Sequence, residues 1–336
     1  MRILGLSQPT SGCGFHRVIL PLGYMQDIKG YVTNFPTVEK LAEGWDILFY
    51  NRLSMFDDRL DDVKDEMGVK IVLDMDDAWV LPPSHLNFFD YERLQPIIEN
   101  NIRKADLVTC TNETLAAKIR PLNENVKIFP NALPYGSHQF QLDRKEDKQI
   151  RIFWAGGATH EQDIKLLSNP FKRLSIFGDK IKMVLGGYND TDPNSKRIWD
   201  YMFSSFTNAG KLPYMKLHSL EPHNYMQLYE YADIVVVPLE DSDWHSCKSN
   251  LKILEAATKK LPVICSKVKP YSLDTDAPVL WVESQKDWFE HIKYLILNPD
   301  KRIEYGEKLY EWAKEKYNIH SINIERRKAF ADLIEA

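Results

Sequence analysis

The chain has 336 residues, 44% of them hydrophobic and 12% aromatic, with 43 Lys and Arg against 48 Asp and Glu for a formal net charge of −5. That length suits two domains of ordinary size, each able to bury a core. No run approaches the roughly 18 consecutive apolar residues of a membrane span, and no basic amphipathic helix marks a membrane surface.

Residues 2–7 are an apolar, extended run predicted as the first strand, and the start lacks the small-residue cleavage site of a signal peptide. Gly12 and Gly14 make a glycine-rich turn, and a helix is expected from His16 to Tyr24. Further strands are predicted at 46–50, 70–74, 106–110 and 126–130, giving a first doubly wound unit. The strand at 70–74 ends in Asp74, Asp76 and Asp77, with Pro82, Pro83 and His85 following. In α/β sheets the carboxyl ends of strands are where ligands sit. Asp76 or Asp77 could orient or deprotonate an acceptor hydroxyl, with His85 as the alternative if its loop folds back, and Asp74 and Arg17 could face the acceptor. An Asp cluster can equally cap the following turn. The charged stretch 141–149 has no apolar periodicity and is the expected domain seam.

The second half repeats the pattern. Residues 151–164 read as strand, Gly156-Gly157 turn and helix, with glycines that let a phosphate approach the backbone. Strands are predicted at 181–187 and 214–220, and a helix is expected to begin at Glu221. The run 231–239 is β-branched and too short for a buried helix, so it reads as a central strand ending at Pro238. Ser249 then stands where a helix N-cap belongs, and Leu251, Ile253, Leu254, Ala257 and Thr258 give one apolar face that stops before Pro262. The first N–H groups of this helix and the ammonium groups of Lys248 and Lys252 would converge on a diphosphate site that also takes in Ser249 and Asn250. Glu255, one to two turns further in, could accept both hydroxyls of a ribose. The competing reading makes Lys248 and Lys252 a solvated face and Glu255 an exposed residue. Two more helices are expected after residue 300, at 301–316 and 321–335.

The segment 241–266 resembles the retaining glycosyltransferases of the GT-B fold, which include bacterial mannosyl- and glucosyltransferases and the sucrose and glycogen synthases. Their signature is a Glu, seven residues, a second Glu followed by Ala, and then a strand of the Gly-x-Pro-Val-Ile type. Glu255-Ala256 and Leu261–Ile264 match the second part, while the first Glu falls on Cys247. Asp243, His245 or Glu240 are the candidates to replace it against the donor sugar. Ala158, Thr159 and His160 occupy the places where that family carries an Arg and a Lys.

The resemblance implies two Rossmann-like doubly wound domains facing across a cleft. An acceptor domain would span 1–145 and a nucleotide-sugar domain 150–316, with a last helix, 317–336, crossing back. It also implies a hexosyl- or pentosyltransferase using a nucleotide-diphosphate sugar such as a UDP-sugar, with no cofactor and no metal. Asp76 lies within an Asp-x-Asp like the metal motif of the other glycosyltransferase fold, GT-A, but GT-A enzymes have one nucleotide-binding domain.

The acceptor is less constrained. Residues 1–150 carry 17 Lys and Arg against 22 Asp and Glu, and the remainder is balanced, so any basic face for DNA must be local. Arg17, Arg52, Arg59, Arg103, Lys104 and the run 326–328 are its candidates. In style the chain is similar to compact bacteriophage glycosyltransferases, some of which modify hydroxymethylcytosine in phage DNA. That makes a hydroxymethylated base the leading acceptor, with a cell-surface glycan or small hydroxyl compound as the alternative. A non-catalytic sugar-nucleotide-binding protein stays open because the first Glu is missing. Cys13, Cys110, Cys247 and Cys265 form no Cys-x-x-Cys pair, which fits a reducing bacterial or phage-infected cytoplasm and no structural zinc.

Overall fold

Short apolar runs bounded by polar turns become parallel strands, buried on both faces where they are central. In the computed structural model, which describes residues 1–191 and 193–336 (193 and 194 in backbone only), twelve strands form two six-stranded sheets. The chain divides into two units. The first comprises Met1–Ala132, Ser246–Ser249 and Tyr317–Ala336, and the second Leu133–His245 and Asn250–Lys316.

The first unit contains β1 (Arg2–Leu6), β2 (Lys29–Thr33), β3 (Ile47–Asn51), β4 (Lys70–Met75), β5 (Leu107–Cys110) and β6 (Val126–Ile128). They lie in the order β2-β1-β3-β4-β5-β6, all parallel, with Tyr50 opposite Leu73 and Asn51 opposite Asp74 in the β3–β4 register. The order reverses between β1 and β3, which makes their carboxyl ends the topological switch point. The edge strand β2 is absent from the sequence prediction because its residues, Lys-Gly-Tyr-Val-Thr, are mostly exposed and do not alternate.

After β1 the expected glycine turn is in fact helical. Ser11 caps Gly12–Gly14, its Oγ accepting from the Gly14 N–H at 3.0 Å, and a π-helical segment, Phe15–Ile19, leads into the helix Leu20–Tyr24. Gly14 is required by space, since a Cβ there would lie 2.1 Å from Ser7 Oγ. Gly12 is exposed and a Cβ would meet nothing within 4 Å. The helix Ile319–Glu335, capped by Asn318, packs Phe330 edge-on against Phe49 and donates from Asn323 Nδ2 to Pro21 O at 2.9 Å.

The second unit contains β7 (Ile150–Ala155), β8 (Ile181–Tyr188), β9 (Tyr214–His218), β10 (Ile234–Val237), β11 (Val263–Ser266) and β12 (Leu280–Val282) in the parallel order β12-β11-β10-β7-β8-β9. Here the switch point lies between β7 and β10. Trp154, Phe171, Trp199, Phe206 and Trp288 form the centre of its core. Gly187, at φ +84°, passes so close to β7 that a Cβ would lie 2.4 Å from Gly156 O. The residues expected to begin a helix at Glu221 instead lead into a 3₁₀ segment, Tyr225–Tyr231.

The charged stretch 141–149 packs within this unit rather than hanging as a tether. Gln141 O accepts from Lys259 Nζ at 2.8 Å, and Asp147 pairs with Lys182 at 2.6 Å. The helix Leu251–Thr258 starts one residue later than predicted, with Asn250 rather than Ser249 at the N-cap. Asn250 makes no capping bond; its amide donates to Asp274 at 2.7 Å. The helix ends at Thr258, and Lys260, with a left-handed φ of +51°, turns the chain away before Pro262.

Candidate functional site

Each unit gathers charged side chains at the carboxyl ends of its switch-point strands. In the second unit the loops after β7 and β10 are joined by Asp163, which is 1% exposed. Its Oδ2 lies 2.6 Å from His160 Nδ1, and its Oδ1 accepts from the Glu240 N–H at 2.8 Å and lies 3.7 Å from His245 Nε2. Burial raises the Asp163 pKa, but the His160 hydrogen bond and the charges of His160 and His245 outweigh it and hold the carboxyl below its usual range. His245 is itself steadied by Ser242 Oγ, 2.8 Å from its Nδ1. The sequence reading named His160, His245 and Glu240 but missed Asp163. Its signal was the His160/Asp163 pair, three apart, directly after a Gly-Gly turn.

Lys252 extends from the first turn of its helix over Trp154, 5.0 Å from the ring centroid. A Cβ at Gly156 would come within 3.0 Å of its Nζ and 2.7 Å of the Trp154 ring, so this ammonium and the backbone at the end of β7 share one small space that only glycine leaves open. Gly157 and Asp243 are exposed. Glu255 is not the exposed residue of the competing reading: it is 3% exposed and its Oε2 accepts from Tyr229 OH at 2.7 Å. Burial pushes its pKa up to about 7, against the opposing pull of the Tyr229 hydrogen bond and of Lys252.

In the first unit, Arg52 follows β3 with φ +56°, a left-handed conformation costly for a residue with a Cβ and concentrated at functional sites. Its Nε donates to Asp76 Oδ1 at 2.8 Å, its Nη2 lies 2.7 Å from the same oxygen and 3.6 Å from Asp77, and its Nη1 donates to Tyr91 OH. Asn51 adds a second donor to Asp76 Oδ1 at 3.0 Å. Desolvation would raise the Asp76 pKa, but Arg52 and these donors drive it well below the carboxylate range. Asp77 titrates the other way: burial, with Asp76 adding to it, raises its pKa despite Lys248 at 3.4 Å and Arg52. Two adjacent carboxylates with split proton affinities are the kind of pair that acid–base chemistry uses.

Lys248 and Ser249 are held in this unit by side-chain amides. Asn112 Nδ2 donates to Cys247 O and Lys248 O at 3.3 and 2.8 Å, and Asn131 Nδ2 to Ser249 Oγ at 2.8 Å. Lys248 thus groups with Asp77, whereas Lys252 belongs to the Trp154–Gly156 cluster. Cys247, in the place of the first Glu, is fully buried. His85 Nδ1 accepts from the Asn87 N–H within its own turn.

Arg17 and Asp74 do not fit the acceptor-facing role given to them. Both are 1% exposed, and Arg17 Nε and Nη2 grip Asp74 bidentately at 2.9 and 2.8 Å. Thr109 and Asn51 add donors to Asp74, and Arg17 Nη1 donates to Asn131 at 3.0 Å. A closed network of this kind fixes the π-helical segment on the sheet. Among the described residues no group of three or more His, Cys, Asp or Glu side chains is placed to hold a metal ion.

No family model and no curated protein matches this chain. It is similar in structure to the sucrose-phosphate synthase of Thermosynechococcus elongatus, with a TM-score of 0.71 and 12% identity over 99% of each chain. It is also similar to Anabaena HepE in complex with UDP (TM-score 0.66, 11% identity, 99% of this chain and 100% of that one) and to a glycosyltransferase of Rickettsia africae (TM-score 0.64, 12%, 99% and 98%). At such identities the likeness is one of fold, and with the two six-stranded parallel sheets it gives the chain the GT-B architecture of two Rossmann-like α/β units.

Proposed function

We propose that the protein is a glycosyltransferase that moves a sugar from a nucleotide-diphosphate donor to an acceptor hydroxyl. The observation that carries this reading is Lys252 against the side-chain-free backbone of Gly156, at the switch point of the second sheet. A donor diphosphate would meet the ammonium and the first N–H groups of the helix Leu251–Thr258, Glu255 would receive the ribose hydroxyls, and the Asp163–His160–His245 group would align the sugar. Solved neighbours that hold UDP and UDP-glucose make a UDP-sugar the first donor to try. In the first unit Asp77 would orient the acceptor hydroxyl while Arg52 and Asp76 form its rigid support. Reaction with retention, through an oxocarbenium-like transition state and without a metal, is the course we expect. Calorimetry with UDP and UDP-glucose, followed by UDP release with and without candidate acceptors, tests the reading; no binding of either donor would overturn it for UDP-sugars.

For the acceptor, a glycan or small hydroxyl compound is favoured over phage DNA by the fate of the basic residues. Arg17 and Arg52 are paired with Asp74 and Asp76, Arg59 with Glu66, Arg103 with Glu99 and Lys104 with Asp61. Arg326 is 2% exposed, and Arg327 and Lys328 pair with Asp27 and Asp332. Cations already engaged by carboxylates release few counterions from DNA. Duplex binding that falls steeply with salt would restore the DNA acceptor.

A further inference from the structure

The first unit buries more positive charge than its neighbouring carboxylates neutralise. Arg17 is met by Asp74, Arg52 by Asp76 and Lys248 by Asp77. Arg326, on the helix Ile319–Glu335, is 2% exposed and has no carboxylate within ion-pair distance among the described residues. Its Nη1 donates to the neutral amide oxygen of Asn323, one turn back on the same helix, and its guanidinium lies 5.1 Å over the Phe129 ring. Asp74 is near enough to attract it, but both Asp74 oxygens already accept from Arg17, and one also from Thr109.

Arg17 repels Arg326 in turn. Burial and that repulsion lower the Arg326 pKa to about 9, which still leaves it a cation at neutral pH. Arginine is almost never fully buried unless paired, because an ion withdrawn from water without a counter-charge is among the most costly arrangements in a fold. Among the described residues Nη1 is the Arg326 donor that makes a hydrogen bond; Nε and Nη2 are not among the buried atoms without a partner, so this edge keeps some contact with solvent, and it is the planar edge that grips an oxyanion bidentately.

We propose that Arg326 is the anchor of a binding site for a small oxyanion, a phosphate or carboxylate group, which supplies the counter-charge that the fold lacks beside Arg17, Asn323 and Phe129. The anion is a free ion or the charged group of a small metabolite, and the site is independent of the transfer reaction and of Lys252.

The test is thermal unfolding of the full chain at fixed ionic strength, with inorganic phosphate or acetate titrated against chloride. Phosphate should raise the wild-type melting temperature saturably by several degrees, and equally so in K252A, which excludes the donor cluster as the source. In R326M the midpoint for phosphate should move at least tenfold higher or vanish. In oxyanion-free buffer R326M should melt no lower than wild type, since an uncompensated cation has been removed. The inference is overturned if wild type shows no saturable response to phosphate or acetate, if R326M responds as wild type does, or if R326M melts lower in oxyanion-free buffer. Where R326M does not fold, R326Q decides: an unchanged phosphate response overturns the site and a lost one upholds it. A hexose 6-phosphate that saturates at tenfold lower concentration than phosphate identifies the occupant as a phosphorylated metabolite, and equal midpoints identify the free ion.

Discussion

Replacing Glu255 by Gln should make the protein more stable in alkali and remove one step from its stability-versus-pH curve. Glu255 is 3% exposed, and burial raises its pKa from 4.5 to about 7. A carboxyl with a raised folded-state pKa binds its proton more tightly in the native chain than in the unfolded one. Its favourable state is therefore complete below about pH 4.5 and is lost as pH climbs through about 7. At about 1.4 kcal/mol per unit the loss amounts to roughly 3 kcal/mol by pH 8. Glutamine keeps the shape and still accepts from Tyr229 OH without ionising. Glu255→Gln should therefore match wild type near pH 5 and exceed it at pH 8, by roughly 5–10 °C in melting temperature for a unit of this size. Thermal denaturation from pH 5 to 8 reads this directly. If the ribose hydroxyls are accepted by the anion, UDP binding near pH 6 should also release a proton, seen by calorimetry in buffers of different ionisation enthalpy, and the variant should lose both proton release and affinity. A variant that follows the wild-type pH slope, or that melts lower at pH 8, would refute the reasoning about burial; unchanged UDP affinity would remove Glu255 from the ribose.

Lys252→Ala should weaken UDP binding by about 1–3 kcal/mol, the scale of a lost charge-assisted hydrogen bond, and an unaltered calorimetric constant would take Lys252 out of the diphosphate site. Asp163→Asn breaks the joint between the loops after β7 and β10, so turnover should drop and stability fall by about 1–3 kcal/mol, whereas normal values of both would make the joint dispensable. Asp77→Asn should depress turnover and spare donor affinity, and wild-type turnover should rise with pH through the raised Asp77 pKa. Asp76→Asn should in addition cost roughly 3 kcal/mol of stability, because it strips Arg52 of its partner, and equal melting temperatures for the two variants would argue against that division of labour.

The central strands were legible because a strand buried on both faces must be a short β-branched run, as at 234–237 and 263–266. Of the edge strands, β6 and β9 were read, whereas β2, mostly exposed and without alternation, and β12, only three residues long, were not. Among candidate residues, Lys252, Glu255 and Gly156 could be named because their positions follow from one helix or one turn. The long-range partnerships of Asp163 and Arg52 could not. Asp163 acts on Glu240, 77 residues away, and Arg52 on Asp76, 24 away, and spacing along the chain holds no record of such partners.

The run 326–328 shows a signal that was present and unread. As composition it is a basic triplet fit for a nucleic-acid face. As a helix it is one inward and two outward residues, because Arg326 shares its face with Asn323 and Phe330, three and four positions away, both buried. Arg327 and Lys328 keep 47% and 75% of their side-chain surface and meet carboxylates there. The same three charges thus divide into two solvated ion pairs and one buried cation that meets an amide and an aromatic ring but, among the described residues, no carboxylate, and it is this one that the proposed anion would neutralise.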